Sequence, residues 1–239
     1  MKGGFMSKGF FIAGTDTGVG KTIMAGAIIK ALSFLGHRVG VMKPIESGCG
    51  REGGVLIPFD GMFLKEAAHI DESVTLVTPC CFESPLAPLS ASETDMKEVE
   101  MEEIRRAFAR LSAKYGAMVV EGIGGLMVPV KKDYYVVDMA KEFGLPLLVV
   151  ARPGLGTVNH TMLSINCAMK EGLEVAGLII NYSKPPDGSL AEKTNPKLLA
   201  QICPVPIIGI FPYLSNLDED SIAKAALKSL DLETLKKYL

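Results

Sequence analysis

The sequence predicts an α/β fold: a doubly wound, mostly parallel sheet with helices on both faces. Three observations predict it. Short continuous apolar runs rich in β-branched residues alternate with segments of helical periodicity. The first run ends in a glycine-rich loop, GTDTGVGKT at residues 14–22, that opens a helix. Later runs end in polar residues, at the strand ends where such sheets bind ligands.

The elements follow in order. Residues 10–13 (FFIA) read as the first strand. Ile23, Ala27, Ile28, Ala31, Leu32 and Leu35 then recur at helical spacing, and Gly36 ends that helix. Residues 38–43 (RVGVMK) read as a strand, stopped by Pro44. Residues 100–113 form an amphipathic helix with Met101, Ile104, Phe108 and Leu111 inward and Glu102 four residues before Arg106; Gly116 ends it. Four further apolar runs are 117–122 (AMVVEG), 145–151 (LPLLVVA), 175–181 (VAGLIIN) and 206–212 (PIIGIFP). Runs of this kind suit strands buried on both faces. Helical segments at about 135–143, 157–171, 194–201 and 219–230 separate or follow them, which implies right-handed crossovers. The stretches 44–60 and 183–189 read as loops rather than linkers, so a single domain over residues 1–239 is expected.

Composition narrows the function. A net charge of -2 gives no electrostatic case for nucleic acid or an anionic membrane. No apolar run reaches the roughly 18 residues a membrane span needs. The start, MKGGFMSKG, lacks an apolar signal core, so a cytoplasmic location is expected; Met6 is a second candidate start. The five cysteines form no C-x-x-C, and Cys80-Cys81 reads as two plain thiols. No histidine pair sits at metal-ligand spacing, so zinc is not expected.

Five polar clusters fall at strand ends. In the first loop, backbone amides and the helix N-terminus can hold phosphate, Lys21 can reach the terminal phosphates and Thr22 a magnesium ion. Lys43 ends a strand, where a buried lysine is costly unless it meets an anion; taken alone it also reads as a surface lysine. Asp60, in PFDGMFLKEAA, reads from spacing as a helix N-cap. Glu121 ends an apolar strand, as an acid near magnesium does, and the glycines after it let backbone approach a ligand. Asn181 also ends a strand; its amide can read adenine with one donor and one acceptor, or serve a turn.

Together these residues resemble the dethiobiotin synthetase family over nearly the whole chain. That family's loop reads G-T-D-T-x-V-G-K-T, as residues 14–22 do, with the first glycine one place earlier than in the common phosphate-binding loop. Its K-P-x-x-S-G matches Lys43, Pro44, Ser47 and Gly48, and its V-E-G-x-G-G matches residues 120–125. Its Asp before a helix matches Asp60, its strand-end Asn matches Asn181, and its G-x-x-N-H matches Gly156, Asn159 and His160.

The resemblance implies a P-loop NTPase-like fold and an ATP-dependent ligase of biotin synthesis. It implies that Gly18, Val19, Gly20, Lys21, Thr22 and Ile23 bind ATP, with Gly122, Ile123 and Gly124 approaching the nucleotide. Thr22, Asp60 and Glu121 would surround Mg2+, and Asn181, Phe211, Pro212 and Tyr213 would flank adenine. Lys21 and Lys43 are the expected catalytic lysines, with Thr17, Lys43 and Ser47 at the substrate. The substrates would be 7,8-diaminononanoate and carbon dioxide or bicarbonate. The resemblance also implies a homodimer with the active site at the subunit interface. Thr157 reads as an N-cap, and the amides of Thr157, Val158 and Asn159 would bind the substrate's carboxylate from the other subunit. A second reading is a nucleotide-switched binding protein, which has no need of the Lys43–Ser47 cluster.

Overall fold

In a computed structural model, residues 8–239 are described; Met6 lies outside the described residues. β1 (Gly9–Gly14) leads into α1 (Lys21–Phe34), then β2 (Val39–Met42). Short elements follow: β3 (Ile45–Ser47), β4 (Gly50–Glu52), β5 (Val55–Ile57), α2 (Phe59–Ala67), α3 (Val74–Val77), β6 (Cys80–Phe82) and α4 (Pro88–Thr94). Next come α5 (Met101–Lys114), β7 (Ala117–Gly125), β8 (Pro129–Lys131), β9 (Tyr134–Tyr135), α6 (Val136–Phe143) and β10 (Leu147–Ala151). The chain ends with α7 (Thr157–Lys170), β11 (Val175–Asn181), α8 (Leu190–Ile202), β12 (Ile207–Phe211), α9 (Glu219–Ser229) and α10 (Leu232–Lys236).

The main sheet has six strands in the order β12-β11-β10-β1-β7-β2, and every pairing is parallel. Every residue of β1 and β10 is buried, so both sheet faces are covered. That is why these strands read as unbroken apolar runs. Each buried Phe or Ile contributes about 1.5–3 kcal/mol, enough to offset roughly 1–2 kcal/mol of backbone entropy per ordered residue. From β1 the chain passes to β2 at one edge, returns to β7, and then builds outward on the other side of β1. The strand order therefore reverses beside β1, where its carboxyl end carries the 14–22 loop.

The secondary structure differs from the sequence reading in several places, three of which bear on the architecture. Residues 44–60 are not plain loop: β3 pairs in parallel with β6, and β4 pairs antiparallel with β5. Helix α8 starts at Leu190, earlier than 194, because Ser189 caps it by accepting from the Glu192 amide. Pro196 lies inside that helix and cannot bond the Glu192 carbonyl, which accepts the Tyr182 hydroxyl instead. The third difference is β7, which continues past residue 122 to Gly125; its register with β1 shifts just beyond the Ile12–Glu121 pair. Among the described residues, no helix is long and apolar enough to cross a membrane.

Candidate active site

The 14–22 loop wraps from β1 into α1. Gly20 caps α1 in the left-handed region at φ 87, and a Cβ there would lie 2.2 Å from Asn181 Nδ2. Backbone shape and close approach both require glycine at this position. No side chain caps α1, so no capping group competes for its first-turn amides, as an anion cradle requires. Asn181 Nδ2 donates to the Val19 carbonyl at 2.8 Å. One of its two amide protons therefore braces the loop, leaving one donor and its acceptor oxygen.

Lys21 is buried, and its Nζ donates to the Asp16 carbonyl at 3.1 Å. Burial and then the neighbouring Lys43 lower its pKa to about 8, against the pull of Glu121 and Asp60. Lys43 ends β2 and is not a surface lysine: its side chain is 4% exposed. Its Nζ donates to Glu121 Oε1 at 2.5 Å and pairs with Asp60 Oδ2 at 2.8 Å. Burial opposes its charge, but the two carboxylates outweigh burial and hold its pKa above the usual lysine range. Thr22 Oγ1 also donates to Glu121 Oε1, at 2.9 Å. Burial pushes the Glu121 carboxyl up, with Lys43 pulling the other way.

Asp60 is not the N-cap that its spacing suggests. Pro58 holds that position, Asp60 is in the first turn of α2, and its carboxylate goes to Lys43. The cap comes from elsewhere. Glu46 on β3 accepts from the Asp60 amide and the Gly61 amide, each at 3.0 Å. Sequence reasoning passed over Glu46; the available signal was an acid inside the strand-like Ile45-Glu46-Ser47, directly after Lys43-Pro44.

A cleft of about 340 Å³ collects Thr17, Gly18, Gly20, Lys21, Thr22, Lys43, Ser47, Asp60, Glu121, Ile123 and Gly124. Pro85, Leu86 and Ala87 form another wall, from a segment the sequence left unread. A second cleft of about 270 Å³ is lined by Ile23, Asn181, Tyr182, Phe211, Pro212 and Tyr213. Phe211 is 1% exposed, so its ring belongs to the core, while Pro212 and Tyr213 are exposed. Val19 and Gly122 are buried behind these clefts.

Thr157, Val158 and Asn159 line neither cleft. Thr157 is not the cap of α7; Gly156 is, at φ 88. The Thr157 side chain is fully buried with its hydroxyl against that of Thr161, and its amide donates to the Gly154 carbonyl at 3.2 Å. Val158 and Asn159 supply the first-turn amides without an intrahelical acceptor, and Asn159 is exposed.

The donors at the first cleft fit a hard divalent cation. Thr22, Asp60 and Glu121 offer a hydroxyl and two carboxylates, the oxygen set such ions take. Glu121 Oε2 is buried with no hydrogen-bond partner among the described residues. An orphaned carboxylate oxygen costs about 1–3 kcal/mol or more unless something binds it.

Comparison with known proteins agrees with this geometry. A family model described as an AAA domain matches residues 8–221. The chain is 46% identical over 237 residues to the ATP-dependent dethiobiotin synthetase BioD of Thermodesulfovibrio yellowstonii, covering 96% of this chain and 99% of that one. It is 39% identical over 229 residues to the ATP-dependent dethiobiotin synthetase BioD of Bacillus subtilis, covering 95% and 97%. Among solved structures, the septum site-determining protein MinD of Pyrococcus horikoshii, complexed with Mg-ADP, superposes with a TM-score of 0.52 at 15% identity, covering 93% and 95%. That likeness shows the fold, a P-loop NTPase-like parallel sheet. Identity at this level over 95–96% of the chain decides the family as well: the chain belongs to the ATP-dependent dethiobiotin synthetases.

Proposed function

We propose that this chain is the ligase that closes the ureido ring of dethiobiotin from 7,8-diaminononanoate and carbon dioxide, at the expense of ATP. The observation that carries the reading is the composition of one cleft. Lys21, Thr22, Asp60 and Glu121 line it together with Lys43, Thr17 and Ser47.

In this reading the loop amides and Lys21 hold the ATP phosphates, and the second cleft takes the base between Asn181 and the 211–213 segment. One substrate amine adds to carbon dioxide and releases a proton, giving a carbamate. Lys43 and Thr17 orient the carbamate so that its oxygen attacks the γ-phosphorus, and ADP leaves. The second amine then attacks the carbon of the mixed anhydride, loses its proton, and expels phosphate. Both amines sit on one molecule, so ring closure is intramolecular, and the cleft contributes by holding the second amine in line with the activated carbon. Lys21 and Lys43 place positive charge where negative charge develops, and no side-chain nucleophile is needed. Thr22, Asp60 and Glu121 would hold Mg2+, which when bound neutralises charge on the phosphate oxygens.

The proposal includes a cytoplasmic homodimer. Support comes from exposed apolar side chains beside α7: Leu155 at 88%, Leu163 at 62% and Met127 at 58% exposure. The partner's Val158 and Asn159 would take the substrate carboxylate. Phosphate release tests the whole reading. It should be slow with ATP alone and strongly stimulated by the diamine with bicarbonate. Equal release in both conditions would favour the nucleotide-switched binding protein.

A further inference from the structure

We propose that Glu46 is a positioning residue of this site: from β3 it grips the first turn of α2 and so sets where Asp60 stands against Lys43. The inference rests on the reading of Asp60 as a metal-side carboxylate. Both Glu46 oxygens are committed, one to the Asp60 amide and one to the Gly61 amide, each at 3.0 Å. Pro58, at the N-cap, offers those amides no side-chain acceptor. Glu46 therefore supplies from a neighbouring strand what a capping side chain ordinarily supplies from within.

The grip has a rigid base. Glu46 is 5% exposed, and the pairing of β3 with β6 sets it opposite Cys81. It follows Lys43 by three positions, so one short segment carries both the cation and the holder of the cation's partner. The helix has little slack on this side. A Cβ on Gly61 would lie 1.9 Å from Thr78 Oγ1, so only glycine lets the first turn seat this deeply. The Asp60 side chain is 38% exposed and reaches Lys43 from the first turn, so the backbone that carries it sets that reach. The Glu46 carboxylate also sits at the positive pole of α2, which favours its charge there.

The test compares E46A, E46Q and D60N with the parent in three readouts. Amide hydrogen exchange of nucleotide-free protein should show faster exchange at residues 60 and 61 in E46A. Calorimetry of ADP binding across a magnesium titration, and dethiobiotin formation across the same titration, should show the half-saturating magnesium concentration raised about 10–100-fold in E46A. E46Q keeps one acceptor oxygen at the same reach and should shift it less. D60N should raise it as well, and adding E46A to D60N should raise it little further, because Glu46 acts through Asp60. If D60N shifts the magnesium curve and E46A does not, Glu46 merely caps a helix and the proposal falls. If D60N leaves the curve unchanged, the metal reading of Asp60 falls, and this inference with it. Should E46A fail to fold, E46Q decides: a curve that overlays the parent's overturns the proposal.

Discussion

Helix α2 is held at each end by a buried lysine, and the two ends are built differently. At its N-terminal end, Lys43 meets Asp60 and Glu121, and Glu121 keeps a buried oxygen with no partner among the described residues. At its C-terminal end, Lys30 donates to the Ala67 carbonyl at 2.6 Å and to Glu219 Oε1 at 2.7 Å, with His69 Nε2 3.3 Å away. His69 in turn lies 2.6 Å from Glu219. Both lysines are buried, at 9% exposure or less. Burial alone therefore does not separate the two lysines. Saturation does: among the described residues no buried side-chain polar atom at the Lys30 end lacks a partner, whereas Glu121 Oε2 lacks one and Glu121 lines a cleft.

Breaking each cluster should break different things. The largest effect is expected from Lys43→Gln. Ring formation should fall by roughly 10²–10³, the size of a lost charge-stabilising donor, while ADP binding persists. Unchanged dethiobiotin production would remove Lys43 from the substrate side. Lys21→Ala should lose a comparable amount through weaker phosphate stabilisation, and added magnesium should not rescue it. Glu121→Ala should lose activity too, but extra magnesium should restore part of it. Overlaying magnesium curves for Glu121→Ala and parent would show that the orphaned oxygen serves no cation.

Lys30→Met probes the saturated end. Denaturant unfolding should show a loss of about 1–3 kcal/mol, because Glu219 and the Ala67 carbonyl lose a charged donor. Activity per folded molecule and magnesium dependence should stay within about twofold of the parent, well short of the roughly 10–100-fold shift expected when Asp60 is displaced. A magnesium shift as large as that of D60N would erase the distinction between the two ends.

The same contrast explains what could be read in advance. The six main strands were legible because burial on both faces demands unbroken apolar runs. Lys21, Thr22, Lys43, Glu121 and Asn181 were legible because a parallel sheet collects its strand ends at one edge. Residues 44–60 were not, because strands of three residues carry too little periodicity to register. Asp60 was misread as a cap, and Glu46 missed, for one reason: capping was sought within the local chain, and here it arrives across 14 residues from another element. Thr157 failed similarly. Its residue type suits a cap, but Gly156 adopts the left-handed geometry and the threonine turns into the core.

The smallest effect concerns α7, which stands apart from both clusters. If the partner's Val158 and Asn159 hold the substrate carboxylate, Asn159→Asp sets a negative charge against it. The diamine's Michaelis constant should rise more than that of ATP. Thr157→Ser should change neither, because the Thr157 side chain is buried against Thr161. The cross-subunit arrangement has a sharper test. Lys21→Ala chains and Asn159→Asp chains are mixed after dissociation and assayed at low diamine. If the site is shared, each mixed dimer has one doubly damaged site and one intact site. Random reassociation makes about half the dimers mixed, so their intact sites should add roughly a quarter of the parent value to what the Asn159→Asp dimers retain. With mixed dimers verified by mass spectrometry, no recovery would show that each site lies within one chain or that Asn159 does not hold the carboxylate.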